Sequence, residues 1–136
     1  MKKKRILVVE DHSITRRGLT NFLLSVNSEL EVVEARNGRE AVDQVAKKPP
    51  VVIIMDMVMP HMDGARAALE IKSSWPAVKI LLLLLDPGQG QSALDSGADA
   101  YLLKDSDPGE LLEVLAEMGL SAFNQADLKS VSTAEL

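Results

Sequence analysis

Three carboxylates stand directly after short apolar runs. Glu10 and Asp11 follow Ile6-Leu-Val-Val, and Asp56 follows Val51-Val-Ile-Ile-Met. Apolar runs of this kind read as strands. In an open α/β sheet of order 2-1-3-4-5, ligands bind beyond the carboxyl ends of the strands where the order reverses, between strands 1 and 3. That topology would bring Glu10, Asp11 and Asp56 together. Clustered carboxylates repel, so the arrangement calls for a bound cation or for protonation. Magnesium takes oxygen ligands octahedrally, usually one or two carboxylates with waters and phosphate oxygens, so Asp11, Asp56 and a loop carbonyl would suffice. Transition metals favour imidazole or thiolate, and the chain has two histidines and no cysteine. Taken singly, Asp11 also reads as a helix N-cap and Glu10 as a solvated strand end.

The elements that must position these acids alternate along the chain. Residues 5–10 predict a strand, and Asp11-His12-Ser13 offers capping groups for a helix whose apolar positions are Leu19, Phe22, Leu23 and Val26. Residues 30–35 predict a second strand, Asn37-Gly38 a turn, and 40–48 a helix burying Ala41, Val42 and Val45 before Pro49-Pro50. The run 51–55 is apolar throughout, as a central parallel strand buried on both faces should be. A loop with Pro60 and Asp63-Gly64 leads into a helix ending near Ser74. Residues 78–85 predict a fourth strand, 89–96 a short helix, 98–103 a fifth strand, and 108–118 a helix with Leu111, Leu112, Leu115 and Met118 inward. Five strands alternating with five helices predict an α/β doubly wound parallel sheet with helices on both faces. The expected domain spans 1–118, with 119–136 a polar linker or tail.

Composition narrows the function. A chain of 136 residues suits one domain. With 46% hydrophobic residues but one Trp, one Tyr and two Phe, its core must be aliphatic. The absence of cysteine excludes disulfides, thiolate metal sites and cysteine catalysis. Net charge is −5, and the only basic run, Lys2 to Arg5, leads into the first strand, so this segment alone is a poor nucleic-acid binder. The longest apolar run, 80–85, falls far short of the ~20 residues that cross a bilayer, and no signal-peptide pattern follows Met1. A soluble cytoplasmic protein is the expectation.

Three segments resemble the receiver domains of two-component response regulators over about residues 4–117. They are Ile6-Leu-Val-Val-Glu-Asp11, Val52-Ile-Ile-Met-Asp56-Met-Val-Met-Pro60-His-Met-Asp-Gly64 and Gly97-Ala-Asp-Ala-Tyr101-Leu-Leu-Lys104. Asp11-His-Ser-Ile-Thr-Arg-Arg-Gly-Leu19 and Tyr101-Leu-Leu-Lys-Asp105 resemble receivers that precede a helix-turn-helix DNA-binding domain. The resemblance implies the flavodoxin-like form of the doubly wound fold, with strand order 2-1-3-4-5. It implies that Asp56 is the phosphoacceptor, Asp11 a direct magnesium ligand, Glu10 a second and often water-mediated acid, and the Val58 backbone carbonyl the remaining protein ligand. Lys104 would pair with Asp56 or with phosphoryl oxygens. Phosphoryl transfer needs an in-line nucleophile, a metal and cations to hold spread charge, which this set supplies. The implied donor is a sensor histidine kinase docked on the first helix and the loop after strand 5, with Arg16, Arg17 and Leu19 as candidate contacts. A homodimer through helix 4, strand 5 and helix 5 is implied too, as is DNA binding by a downstream domain, whose start Val131-Ser-Thr-Ala-Glu-Leu136 faintly resembles.

The sequence departs from that family at the end of strand 4 and in a shortened segment, Asp86 to Asp95, that weakens helix 4. Receivers carry Thr or Ser at the end of strand 4, where residues 78–85 offer no hydroxyl. Counting from the strand start puts Leu84 there, and counting back from Gly97 puts Leu82. A leucine forgoes roughly 1.5–3 kcal/mol of charged hydrogen bonding to the phosphoryl group. Tyr101, which fits the aromatic switch position, would lose its partner. Two other readings follow: a binding module that acts without phosphorylation, and a small magnesium-dependent phosphatase or flavodoxin-like carrier. The second lacks a second nucleophile or a glycine-rich phosphate loop. As a phosphoacceptor the domain would catalyse at most its own phosphorylation and dephosphorylation.

Overall fold

The computed structural model describes residues 3–120. Its five strands are β1 (Arg5–Val9), β2 (Glu31–Ala35), β3 (Val52–Asp56), β4 (Lys79–Leu84) and β5 (Ala100–Leu103). The helices are α1 (Ser13–Val26), α2 (Gly38–Lys47), α3 (Gly64–Ser74), α4 (Gly90–Asp95) and α5 (Pro108–Glu117). The strands form one parallel sheet in the order β2-β1-β3-β4-β5, as expected. Residues 121–136, which hold most of the expected linker 119–136 and the segment 131–136, lie outside the described residues.

Side chains alternate across each strand, so the sheet sorts its apolar residues into two layers. Leu7, Val9, Ile53, Met55, Ile80, Leu82 and Leu84 pack with Ala41, Val45, Ala67, Ala68, Ile71 and Ala93 from α2, α3 and α4. Ile6, Val8, Val52, Ile54 and Leu81 pack on the other face with Leu23 of α1 and Leu111, Leu112 and Leu115 of α5. Every residue of β3 is buried, which explains its unbroken apolar run before Asp56.

Local chemistry sets the element ends. Asn37 accepts from Glu40 N at 2.9 Å, so α2 begins at Gly38 and not at Glu40. Asp63 accepts from Arg66 N at 2.8 Å to start α3, and Asp107 accepts from Gly109 N at 2.7 Å ahead of Pro108. At α1 the N-cap position is held by His12 with no side-chain cap bond, which leaves Asp11 out of a capping role. The fifth strand starts at Ala100, not Ala98: Gly97 has φ +93°, and Ala98 N still bonds back to Ala93 O of α4. Asp99 then ties this corner down, accepting from Ile80 N at 2.8 Å and pairing with Lys72 at 2.7 Å. Gly64 is required where α3 meets the sheet, because a Cβ there would run into the Asp56 carbonyl oxygen and come within 2.9 Å of Met57 Cα.

Candidate functional site

The carboxyl ends of β1, β3 and β5 deliver three charged side chains to one face of the sheet. Asp56 ends β3 and pairs in register with Leu83, while Glu10 and Lys104 are the first residues beyond β1 and β5. All three therefore point toward the α1 and α5 layer. Lys104 Nζ donates to Asp56 Oδ2 at 2.9 Å and to Glu10 Oε2 and Oε1 at 3.1 and 3.3 Å. Asp56 and Glu10 are 4% and 3% exposed, so these contacts form away from bulk water and are stronger for it. The pairing of Lys104 with Glu10 was not anticipated from sequence.

Electrostatics of the trio follow from crowding two carboxylates around one ammonium. Burial and then the neighbouring Glu10 push the Asp56 carboxyl from an ordinary 3.8 up to about 6, against the pull of Lys104. For Glu10, burial acts upward but is outweighed by hydrogen bonds from Asp56, Lys104 and His12, so its carboxyl lies below the ordinary carboxylate value. Burial also opposes the Lys104 charge, and its two carboxylate partners outweigh that and hold it above the usual lysine value. Of the two carboxyls, Asp56 is therefore the one that takes up a proton first as pH falls.

Asp11, partly exposed, sits at the mouth. His12 Nδ1 lies 3.1 Å from Glu10 Oε1 and 3.4 Å from Asp11 Oδ1, which gathers Glu10, Asp11 and His12 into a group that could hold a metal. Among the described residues that group does not include Asp56; the oxygen donors of Glu10 and Asp11 suit a hard divalent ion such as magnesium, and a cation there would offset the Glu10 charge that helps raise the Asp56 carboxyl. The sequence reading set imidazole aside, yet one of the two histidines stands beside these acids. Val58 is exposed in the loop after β3.

Two predicted positions lie on the opposite face. Leu84 is fully buried among Leu82, Ala93 and Ala98, pointing away from the trio that Asp56 belongs to. It ends β4, and its carbonyl accepts from Lys104 N at 2.8 Å, whereas Leu82 pairs with Met55 further inside the sheet. Tyr101 is exposed on β5 and lies across α4, where a Cβ on Gly90 would meet its hydroxyl at 2.7 Å.

Of the candidate docking residues, Arg17 is exposed and pairs with Glu34 at 3.1 Å. Arg16 is mostly buried: Nε donates to Glu34 Oε1 and one Nη donates to the Glu10 carbonyl, both at 2.8 Å. Leu19 lines a cavity of about 310 Å³ between α1 and α5, together with Phe22, Leu102 and Leu111, and the cavity opens beside Glu10 and Lys104.

Residues 6–116 match the response regulator receiver domain. The chain belongs to that family. The response regulator VraR from Staphylococcus aureus is 34% identical to this receiver over 114 residues, 82% of this chain and 54% of that protein. The receiver thus spans about half the length of the curated relatives it matches. Among solved structures, the response regulator TrrA from Thermotoga maritima, in complex with magnesium and a beryllium fluoride, is 30% identical. It superposes with a TM-score of 0.78 over 85% of this chain and 98% of that one. A receiver domain of a sensor histidine kinase from Pseudomonas aeruginosa, with magnesium coordinated in its active-site cleft, is 27% identical, with a TM-score of 0.77 over 87% and 99% of the two chains. No helix among the described residues is long and apolar enough to cross a membrane.

Proposed function

We propose that this receiver accepts a phosphoryl group on Asp56 from a sensor histidine kinase, with magnesium held by Asp11, Asp56, the Val58 carbonyl and, through water, Glu10. The observation that carries this reading is the Lys104 ammonium 2.9 Å from Asp56 and 3.1 Å from Glu10 at the mouth of the sheet. Magnesium in two of the relatives named above, and the closeness of Glu10 and Asp11 here, support the reading.

One Asp56 carboxylate oxygen attacks phosphorus in line, forming the acyl phosphate as the bond from phosphorus to the donor imidazole nitrogen breaks. The imidazole leaves with the bond pair and is neutral once protonated. Bound magnesium supplies charge neutralisation for the transferring oxygens. Asp56 attacks as the carboxylate, the form that burial and Glu10 disfavour and that a bound cation would favour. Lys104 then holds the negative charge that spreads over the phosphoryl oxygens, and Glu10 keeps its ammonium in place.

The apolar cavity beside Lys104, with Leu19 on one wall, suits an apolar helix face of the kinase. Exposed Leu94 and Tyr101 on α4 and β5 suit a homodimer through α4, β5 and α5. DNA binding would belong to a domain beyond residues 119–136, and residues 1–118 would form the cytoplasmic receiver.

Incubation with magnesium and acetyl phosphate tests the reading by intact mass. A gain of one phosphoryl group that disappears in Asp56→Asn and without magnesium supports it. No gain where TrrA is labelled would leave the alternative, a binding module that acts without phosphorylation, which draws its support from the missing hydroxyl at Leu84.

A further inference from the structure

We infer that Arg16 is a positioning residue for the metal-binding acids, acting through the main chain of Glu10 and braced by Glu34 of the neighbouring strand; this rests on the reading of the site as a magnesium-dependent phosphoacceptor.

The peptide that links Glu10 to Asp11 is where β1 ends and the acid pair begins. Its orientation is fixed from both sides of Glu10. Glu10 N donates to Ala35 O at 3.1 Å, the last link of the ladder to β2, and the Glu10 carbonyl accepts from Arg16 at 2.8 Å. Among the described residues the pairing of β1 stops at Val9, opposite Ala35 and Met55, so the ladder does not extend to that carbonyl. A helix side chain therefore takes over where the sheet ends. Arg16 cannot swing away, since Glu34 Oε1 accepts from its Nε at 2.8 Å and Glu34 Oε2 is engaged by Arg17 at 3.1 Å. Its side chain is only 13% exposed, unlike that of Arg17 at 70%.

Rotation of the peptide after Glu10 swings the Asp11 carboxylate out of the pocket and shifts Glu10 against Lys104. The fork of the guanidinium makes two bonds in fixed directions, which a lysine ammonium on a flexible stem does not reproduce. Removal of groups that orient metal ligands typically weakens metal binding by about 10- to 100-fold.

The direction of the effect separates positioning from charge. Arg16 is a cation close to a cation site, so if charge alone mattered, Arg16→Gln would tighten magnesium binding. Positioning requires the opposite. Arg16→Lys keeps the charge and loses the fork, so it isolates geometry.

The test is a magnesium titration of the full 136-residue chain followed through the Asp11 and Asp56 backbone amide resonances, with urea unfolding of each variant run in parallel. Arg16→Lys and Arg16→Gln should both bind magnesium about tenfold more weakly than the unaltered chain while still folding. Glu34→Gln, which removes the brace and leaves the guanidinium, should fall between. Equal or tighter binding in Arg16→Lys and Arg16→Gln, with the unaltered chain binding magnesium normally, overturns the inference and leaves the phosphoacceptor reading intact. An unaltered chain that shows no magnesium response at Asp11 or Asp56 overturns both.

Discussion

The main-chain N–H of Lys104 donates to the carbonyl of Leu84 at 2.8 Å, so one hydrogen bond ties the cation of the site to the end of β4. Their side chains leave the sheet on opposite faces, Lys104 toward Asp56 and Leu84 into the layer with Ala93. Leu84 is fully buried in that layer and offers no hydroxyl. A phosphoryl group on Asp56 would have to be sensed through Lys104 and the backbone.

Replacing Leu84 by Thr should cost stability, because it trades a fully buried aliphatic side chain for a smaller, polar one. The expected loss is about 2 kcal/mol by urea unfolding. The gain should be coupling: in Leu84→Thr the Tyr101 ring resonances should move on phosphorylation, and in the unaltered chain they should stay. Movement of equal size in both would show that the hydroxyl is dispensable here.

Asp56→Asn should stabilise the protein without magnesium, and more so in base. The folded Asp56 carboxyl titrates near 6 against an ordinary 3.8, so the folded state binds its proton more tightly than the unfolded chain does. That contribution is complete below about pH 3.8 and is lost as pH rises through about 6. Unfolding should find the variant more stable by about 1 to 3 kcal/mol at pH 8 and little changed at pH 4, with magnesium closing the gap at pH 8. Equal stability at pH 8 would mean that Asp56 is not held in an unfavourable charge state.

His61 occupies a left-handed backbone conformation, φ +68°, in the loop between β3 and α3. A side chain at that angle crowds its own carbonyl, and glycine does not. His61→Gly should therefore raise stability by about 1 kcal/mol without altering magnesium affinity. A drop in stability would show that the imidazole makes a compensating contact.

The alternation of strands and helices was legible in the sequence because it depends on short-range pattern, and the apolar run of β3 visibly ends on Asp56. The place of Lys104 beside Asp56 came from the family resemblance, and its bond to Glu10 from neither. Two further features were not legible. Arg16 looked like a docking residue because its partners, Glu34 and the Glu10 carbonyl, come from a neighbouring strand and from the main chain, and neither leaves a periodic trace. His12 was passed over because capping chemistry reads the same whether or not the imidazole turns back on Glu10 and Asp11. Counting from the two ends of the strand left Leu82 and Leu84 as rivals; Leu84 is the last residue of β4, and both side chains lie in the layer opposite Asp56.

The proposed role of Asp56 as the residue that carries the phosphoryl group has a direct chemical test. After exposure to acetyl phosphate and magnesium, borohydride reduction converts an acyl phosphate on aspartate to homoserine, which peptide mass spectrometry locates. Homoserine should be found at position 56 alone, absent without magnesium and much reduced in Lys104→Ala. Unmodified Asp56 under conditions that label a related receiver, or homoserine at another aspartate, would contradict that role.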